Sequence, residues 1–246
     1  MLRRPLWKVN EAPLPDHEYL LSMDTSLGLE NGDPSAAHVF DRTAIPFTQV
    51  ATFHGWISPR EQARQAFGVA KVYNDALVAI EENNTGHAVI TDVYNLGGRQ
   101  VFQKMSQGVF GARRRRLGWY SSQASKHEAI SRLRELLEHD EIVFFCPETL
   151  HEMNAYNYDR SRTGSEKIGV GRGRRDDRAD AAAIAAHVML SLVLREMEDE
   201  KPQRRPGMVV KLRGWQEEMM LEEDEEDAAR TTLAWDAEGS WGGSDR

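Results

Sequence analysis

The sequence predicts an α/β protein with a mixed central sheet flanked by helices. Three observations carry this expectation. Apolar segments run in the order strand, strand, strand, helix, strand, helix, strand, helix. The first of them, Tyr19 to Thr25, has apolar residues on both faces, as a central strand requires. The last helix is long and rich in alanine.

Residues 1–17 contain Pro5, Pro13 and Pro15 and read as an extended lead-in. Turn chemistry from Leu27 to Pro34 follows the first strand and leads to strands at Ala36–Arg42 and Thr48–His54, together a meander. Ser58-Pro59-Arg60-Glu61 predicts a helix start, with Ser58 as N-cap, Pro59 at the first position and Glu61 closing a capping box. That helix runs to about Asn74. Ala76–Glu81 is a short apolar strand, and after Asn83-Asn84-Thr85-Gly86 a helix continues to about Leu96. Residues 97–122 read as irregular and carry the basic run Arg113-Arg114-Arg115-Arg116. Ser125–His139 is amphipathic, with a stripe of Ile130, Leu133, Leu136 and Leu137. Ile142–Cys146 is a buried strand. A stretch containing Tyr and Arg then ends in the glycines at 169, 171 and 173, which read as a mobile loop. A helix from Asp177 to about Glu198 follows, and Lys201–Gly207 ends the compact part. The expected division is 1–17, 18–200 and 201–246.

With 40% hydrophobic residues among 246, the chain has ample material for a core. The net charge of −8 is unevenly spread. Trp215–Arg246 holds eleven acids and two arginines, a net of −9, which leaves the other 214 residues at about +1. A near-neutral body with arginine patches is compatible with binding DNA. The acidic run Glu222–Asp227 reads as part of a solvated, flexible tail. The single cysteine, Cys146, excludes an internal disulfide framework and reads as a packed thiol in a reducing compartment. No signal-like leader or membrane-length apolar stretch is present, so a soluble intracellular protein is expected.

Three short segments concentrate acids where chemistry could use them: Asp24 at one strand end, Glu81 at another, and Asp176, Asp177 and Asp180 opening the last helix. On that helix, Asp180 is i,i+3 from Asp177 and i,i+4 from Asp176, so it adjoins both. Like charges at these spacings repel unless a cation sits between them. Carboxylates from separate elements suit Mg²⁺ or Mn²⁺, and two such ions can stabilise the attacking and leaving oxygens of phosphodiester hydrolysis. Individually these acids also suit turns, an N-cap or a helix dipole. Spacing alone leaves the choice among Asp176, Asp177 and Asp180 open. No histidine and cysteine spacing supports zinc.

Leu21–Gly28 with Asp33–Ala37 resembles the first strand and hairpin of the nuclease domain of tailed-phage terminase large subunits. Val78–His87, including Glu81-Glu82-Asn83-Asn84-Thr85-Gly86, resembles that family's segment around its second acid. Gly118–Ser121, Glu152-Met153 and Asp176–Ala181 follow in the family's order. The last stretch is equally similar to the final helix of Holliday-junction resolvases. The resemblance covers about residues 18–195. It implies an RNase H-like fold and a Mg²⁺- or Mn²⁺-dependent endonuclease, with two ions, cutting concatemeric viral DNA during genome packaging in the host cytoplasm. The implied ligands are Asp24, Glu81, and Asp177 or Asp180. Terminases often carry His-Asp-Asp and an apolar pair; here Arg175 stands in place of the His, and Asp180 in place of an apolar residue.

No Gly-x-x-x-x-Gly-Lys-Ser/Thr loop occurs in the sequence, so a packaging ATPase on another chain or a missing domain is an expected partner. The portal and the small terminase subunit are further partners the resemblance implies, and the acidic tail could tether the chain to one of them or mimic DNA in the basic groove. Double-stranded DNA is the expected substrate, and no membrane is involved. Arg113, Arg114, Arg115 and Arg116, near Trp119 and Tyr120, together with Arg172, Arg174, Arg175 and Arg178, are the candidate phosphate contacts. The alternatives are a structure-selective resolvase-like nuclease and a non-catalytic DNA-binding or docking module.

Overall fold

The structure, a computed structural model, describes residues 7–82, 85–107, 113–160, 166–170 and 175–199. Asn83, Asn84, Arg172, Arg174 and the expected linker and acidic tail, 201–246, lie outside the described residues. Strands β1 (Lys8–Val9), β2 (Tyr19–Asp24), β3 (Ser35–Asp41) and β4 (Phe47–Gly55) precede helix α1 (Pro59–Val72). Strand β5 (Leu77–Ile80) and helix α2 (Gly86–Asn95) follow. The sheet order is β1-β4-β3-β2-β5. The β2–β3–β4 meander is antiparallel, whereas β5 lies parallel to β2 because α1 carries the chain back across the sheet. The expected mixed sheet is therefore present, with β2 in its interior.

The α1 start is half as expected. Ser58 Oγ accepts from the Glu61 amide, but the Glu61 carboxylate is engaged by Gln65 at 2.9 Å. Residues expected to be irregular form a hairpin, β6 (Gln103–Gln107) with β7 (Arg113–Leu117), so the four arginines lie on a strand. Repeated arginine gives no apolar alternation, which hid the strand from the sequence. Helix α3 (Gln123–Glu138) is capped by Ser122 and buries Ala129, Leu133 and Leu136. The strand expected at Ile142–Cys146 shortens to β8 (Ile142–Val143), which pairs with β4. Pro147, set at the first turn, opens an unexpected helix, α4 (Pro147–Asn154). Cys146 is buried as expected. Gly169, read as part of a loop, belongs to the hairpin of β9 (Tyr156–Arg160) and β10 (Glu166–Val170). Helix α5 (Asp177–Asp199) closes the described chain.

Two apolar clusters sandwich the sheet. Leu21 and Met23 of β2 join α1 and α2 on one face. Leu20, Phe40 and Ala79 join α3 and α5 on the other. The alternation of strand side chains thus assigns Ser22 and Asp24 to the α5 face. Helix α5 buries Ala179, Ala181, Ala182, Ala183, Ala185 and Ala186, and these small side chains let it lie close against β2 and β3.

Gly86 is fixed by a similar close approach. A Cβ there would stand 1.7 Å from the Glu81 carbonyl oxygen, so only glycine lets α2 begin beside that acid. Gly86→Ala is expected to destabilise the fold by about 1–3 kcal/mol, the usual cost of overpacking, as read by urea unfolding.

Candidate metal centre

Asp24 is the last residue of β2, and Glu81 immediately follows β5. The Glu81 amide donates to the Met23 carbonyl at 3.0 Å, extending the parallel ladder and bringing the two acids side by side. Trp119 locks the other side: its amide donates to Ile80 at 2.7 Å, and its carbonyl accepts from the Glu82 amide at 2.8 Å. Gly118 precedes it with φ +83°, a conformation that favours glycine.

The first turn of α5 supplies the remaining acids. The Asp176 carbonyl accepts from the Asp180 amide at 2.8 Å, starting the helical bond pattern. Asp24, Glu81, Asp176, Asp177 and Asp180 line one cleft of about 720 Å³, with Thr25, Ser26, Asp33, Thr85 and Arg175 around them. All five acids singled out in the sequence are thus brought to one place from three separate elements.

Their electrostatics show the strain of this gathering. Burial, followed by the charge of Glu81, a hydrogen bond to it, and the charges of Asp180 and Asp177, raises the Asp24 carboxyl well above its ordinary range. Burial pushes Asp180 up to about 6, against the pull of Lys126 and with Glu81 and Glu152 adding to the rise. Lys126 Nζ lies 2.6 Å from Asp180 Oδ2 and 3.8 Å from Asp176. Burial works against its charge, yet Asp180, Asp176 and Asp24 hold the ammonium above its usual value. Asp177 is 7% exposed, and its Oδ2 has no hydrogen-bond partner. That oxygen is 3.9 Å from His54 Nε2, which also lacks one.

An all-carboxylate donor set, an orphaned buried oxygen and raised carboxyl pKa values fit a hard divalent cation. Among the described residues, no three acid, histidine or cysteine side chains already converge in a form that grips an ion. Asp24 hydrogen-bonds Glu81, and Asp180 leans to Lys126. The backbone sets which acids meet, and side-chain rotamers adjust more readily than the backbone.

The arginines separate into different roles. Arg175 is exposed at the cleft, its guanidinium 4.8 Å from the centre of the Trp56 ring. Arg115 is exposed on the hairpin. Arg116 forms an ion pair with buried Glu82 and stacks 4.0 Å over Tyr120, so it holds the hairpin against the end of β5. Arg178 is bound to Glu152, with 18% of its side chain exposed. Both guanidiniums are thus engaged by buried carboxylates; Arg178 is largely enclosed, whereas the Arg116 side chain remains 41% exposed. Arg113 and Arg114 belong to β7, and their side chains, like Arg172 and Arg174, lie outside the described residues.

Sequence reasoning missed Lys126, His54, His38 and the structural role of Glu152. Nothing in the spacing of Lys126 or the histidines marks them. Glu152 did carry a signal, since it fell in a segment resembling the family, but not a function.

The terminase RNase H-like domain family matches residues 21–189. The large terminase nuclease of thermophilic phage G20c, solved with bound magnesium, aligns at 20% identity and TM-score 0.59, covering 75% of this chain and 88% of that one. The same protein with bound cobalt gives equal figures. The large terminase nuclease domain of Thermus phage P74-26 aligns at 20% identity and TM-score 0.55, covering 74% of this chain and 85% of that one. The likeness to these structures shows a shared fold. Among curated proteins, none matches this sequence.

A carboxyl whose folded pKa exceeds its unfolded value favours the fold while protonated. For Asp180 that contribution is complete below its ordinary value of 3.8 and is lost as pH rises through about 6. The metal-free protein should therefore lose stability across this interval, and the raised Asp24 carboxyl works in the same direction. Asp180→Asn should flatten the dependence and raise metal-free stability at pH 8 by about 1–2 kcal/mol, measured by urea unfolding in chelator.

Proposed function

Because this chain belongs to the terminase RNase H-like domain family, we propose that it is the DNA-cutting part of a phage packaging terminase and works with divalent cations held by Asp24, Glu81, Asp177 and Asp180. The observation that carries this reading is the meeting of those four carboxylates in one cleft, from two strand ends and one helix start. Asp176, at the rim and near Lys126, serves as a further anionic neighbour.

Mg²⁺ or Mn²⁺ bound by these acids, as two ions, would stabilise negative charge on the attacking and leaving oxygens and lower the pKa of water. The protein's part is placement. The parallel ladder between β2 and β5 fixes Asp24 against Glu81, and the first turn of α5 sets Asp177 and Asp180 over the same cleft. Lys126 restrains Asp180, and Arg175, braced on Trp56, offers a guanidinium to a phosphate beside the acids. Exposed Arg115 adds positive charge for the DNA backbone. Nucleotide-driven DNA movement belongs to an ATPase outside this sequence.

Purified protein should nick or linearise plasmid DNA when Mn²⁺ is added, and Asp24→Ala or Glu81→Ala should reduce cleavage to background. Persistent cleavage by Asp24→Ala would overturn the assignment. Equal cutting of linear duplex and four-way junctions would separate the packaging reading from a resolvase. For Arg175→Ala, DNA binding should weaken across sequences and its log–log salt dependence fall by about 1, while Mn²⁺ affinity stays unchanged.

A further inference from the structure

We propose that Glu152 is a positioning residue for the metal-binding turn of α5, clamping Arg178 from one side while His38 holds it from the other. The inference rests on the reading above that the acids of α5 hold cations.

The first amides of a helix have no intrahelical acceptor, so something must satisfy them or the turn frays. Here the acceptor comes from a different helix. Glu152, 7% exposed on α4, takes the Arg178 amide at 2.8 Å and the Ala179 amide at 3.3 Å on Oε2. Its Oε1 accepts from Arg178 Nη1 at 2.5 Å. On the opposite side of the same peptide, His38 Nε2 donates to the Arg178 carbonyl at 2.9 Å. Burial lowers the His38 pKa to about 4, keeping the ring neutral. Nδ1 then accepts from Gln49 Nε2 at 2.8 Å, which fixes the proton on Nε2.

The network also ties down α4. Gln49 Oε1 accepts from the amides of Phe145 and Cys146 at 3.0 and 2.9 Å, holding the entry to the helix that carries Glu152. β3, β4, α4 and α5 are thus joined by buried hydrogen bonds that meet at Arg178, one residue from Asp177 and two from Asp180. The capping role falls to a carboxylate outside α5, so Asp177 and Asp180 can line the cleft. Another carboxylate beside the cluster adds repulsion, and Glu152 does contribute to the rise at Asp180. The Arg178 guanidinium offsets that charge.

The test is Mn²⁺ titration by calorimetry of the full chain, with amide hydrogen exchange over residues 176–182. Glu152→Ala should weaken Mn²⁺ binding about 10- to 100-fold, as loss of a ligand-orienting partner does, and should speed exchange in that turn more than in the rest of α5. Glu152→Gln keeps one acceptor for the amides but loses the ion pair, so it should fall between wild type and Glu152→Ala. If Glu152→Ala does not fold, Glu152→Gln decides. Wild-type Mn²⁺ affinity and wild-type exchange in the folded variant would overturn the proposal and leave Glu152 a stability residue only. Asp24→Asn in the same titration should abolish binding. If it binds Mn²⁺ normally, the metal-site reading fails instead.

Discussion

Mutual repulsion among carboxylates is the constraint around which this structure is organised. Two unit charges about 4 Å apart near a protein surface interact by about 4 kcal/mol. Even one such pair is a sizeable fraction of the roughly 5–15 kcal/mol that hold a typical domain together. A flexible scaffold would relieve this by letting the acids drift apart. Asp24 and Glu81 have little such freedom, because each directly follows the paired residues Met23 and Ile80 of neighbouring parallel strands and the Glu81 amide is bonded to the Met23 carbonyl. Part of the repulsion appears as the raised Asp24 carboxyl, and part is offset by Lys126 against Asp180. The elevated carboxyl pKa values reflect burial first and this crowding of charge second.

Close backbone approach is what makes that rigidity attainable. Alanines along α5 let the helix lie against β2 and β3 without intervening bulk. Gly86 lets α2 begin beside the Glu81 carbonyl. Trp119 bridges Glu81 from the flank, so the acid is gripped along its backbone on both sides while its side chain faces the cleft. The same economy of space places Arg116 against Glu82 and Arg178 against Glu152. In both pairs one charge is nearly buried, and removing one partner of such a pair commonly costs about 3–5 kcal/mol.

Much of this was legible in the sequence, for reasons tied to periodicity. The meander, α1, β5 and α5 announced themselves by apolar spacing and punctuation, and so the strand-end and helix-start acids could be placed. Family resemblance added the second acid's segment and the fold. What stayed hidden depends on contacts between elements distant in the chain. The Arg113–Arg116 strand lacks an apolar face to reveal it, and α4, opened by Pro147, is too short to show a clear helical periodicity. Lys126 and His38 look like ordinary polar residues until α3 and β3 are packed against α5. Arg178 looked like a phosphate contact because its partner, Glu152, is 26 residues away. Local charge patterns show where arginines occur, and only tertiary packing shows which remain open to a ligand.

That division of the arginines bears on how a cleft lined by acids can accept a polyanion. Two of the eight candidate arginines are bound to internal carboxylates, leaving Arg175 as the described guanidinium at the cleft itself. One guanidinium cannot offset Asp24, Glu81, Asp176, Asp177 and Asp180 in their ionised forms. On the metal-centre reading, a divalent cation that neutralises these carboxylates also removes their repulsion of a phosphate, so cation and DNA bind with positive coupling. By linkage the coupling is reciprocal: DNA raises the cation affinity by the same factor that the cation raises DNA affinity. On that reading the carboxylate repulsion that costs stability in the free protein favours cation binding, and the cation in turn makes an acid-lined cleft able to accept a phosphate.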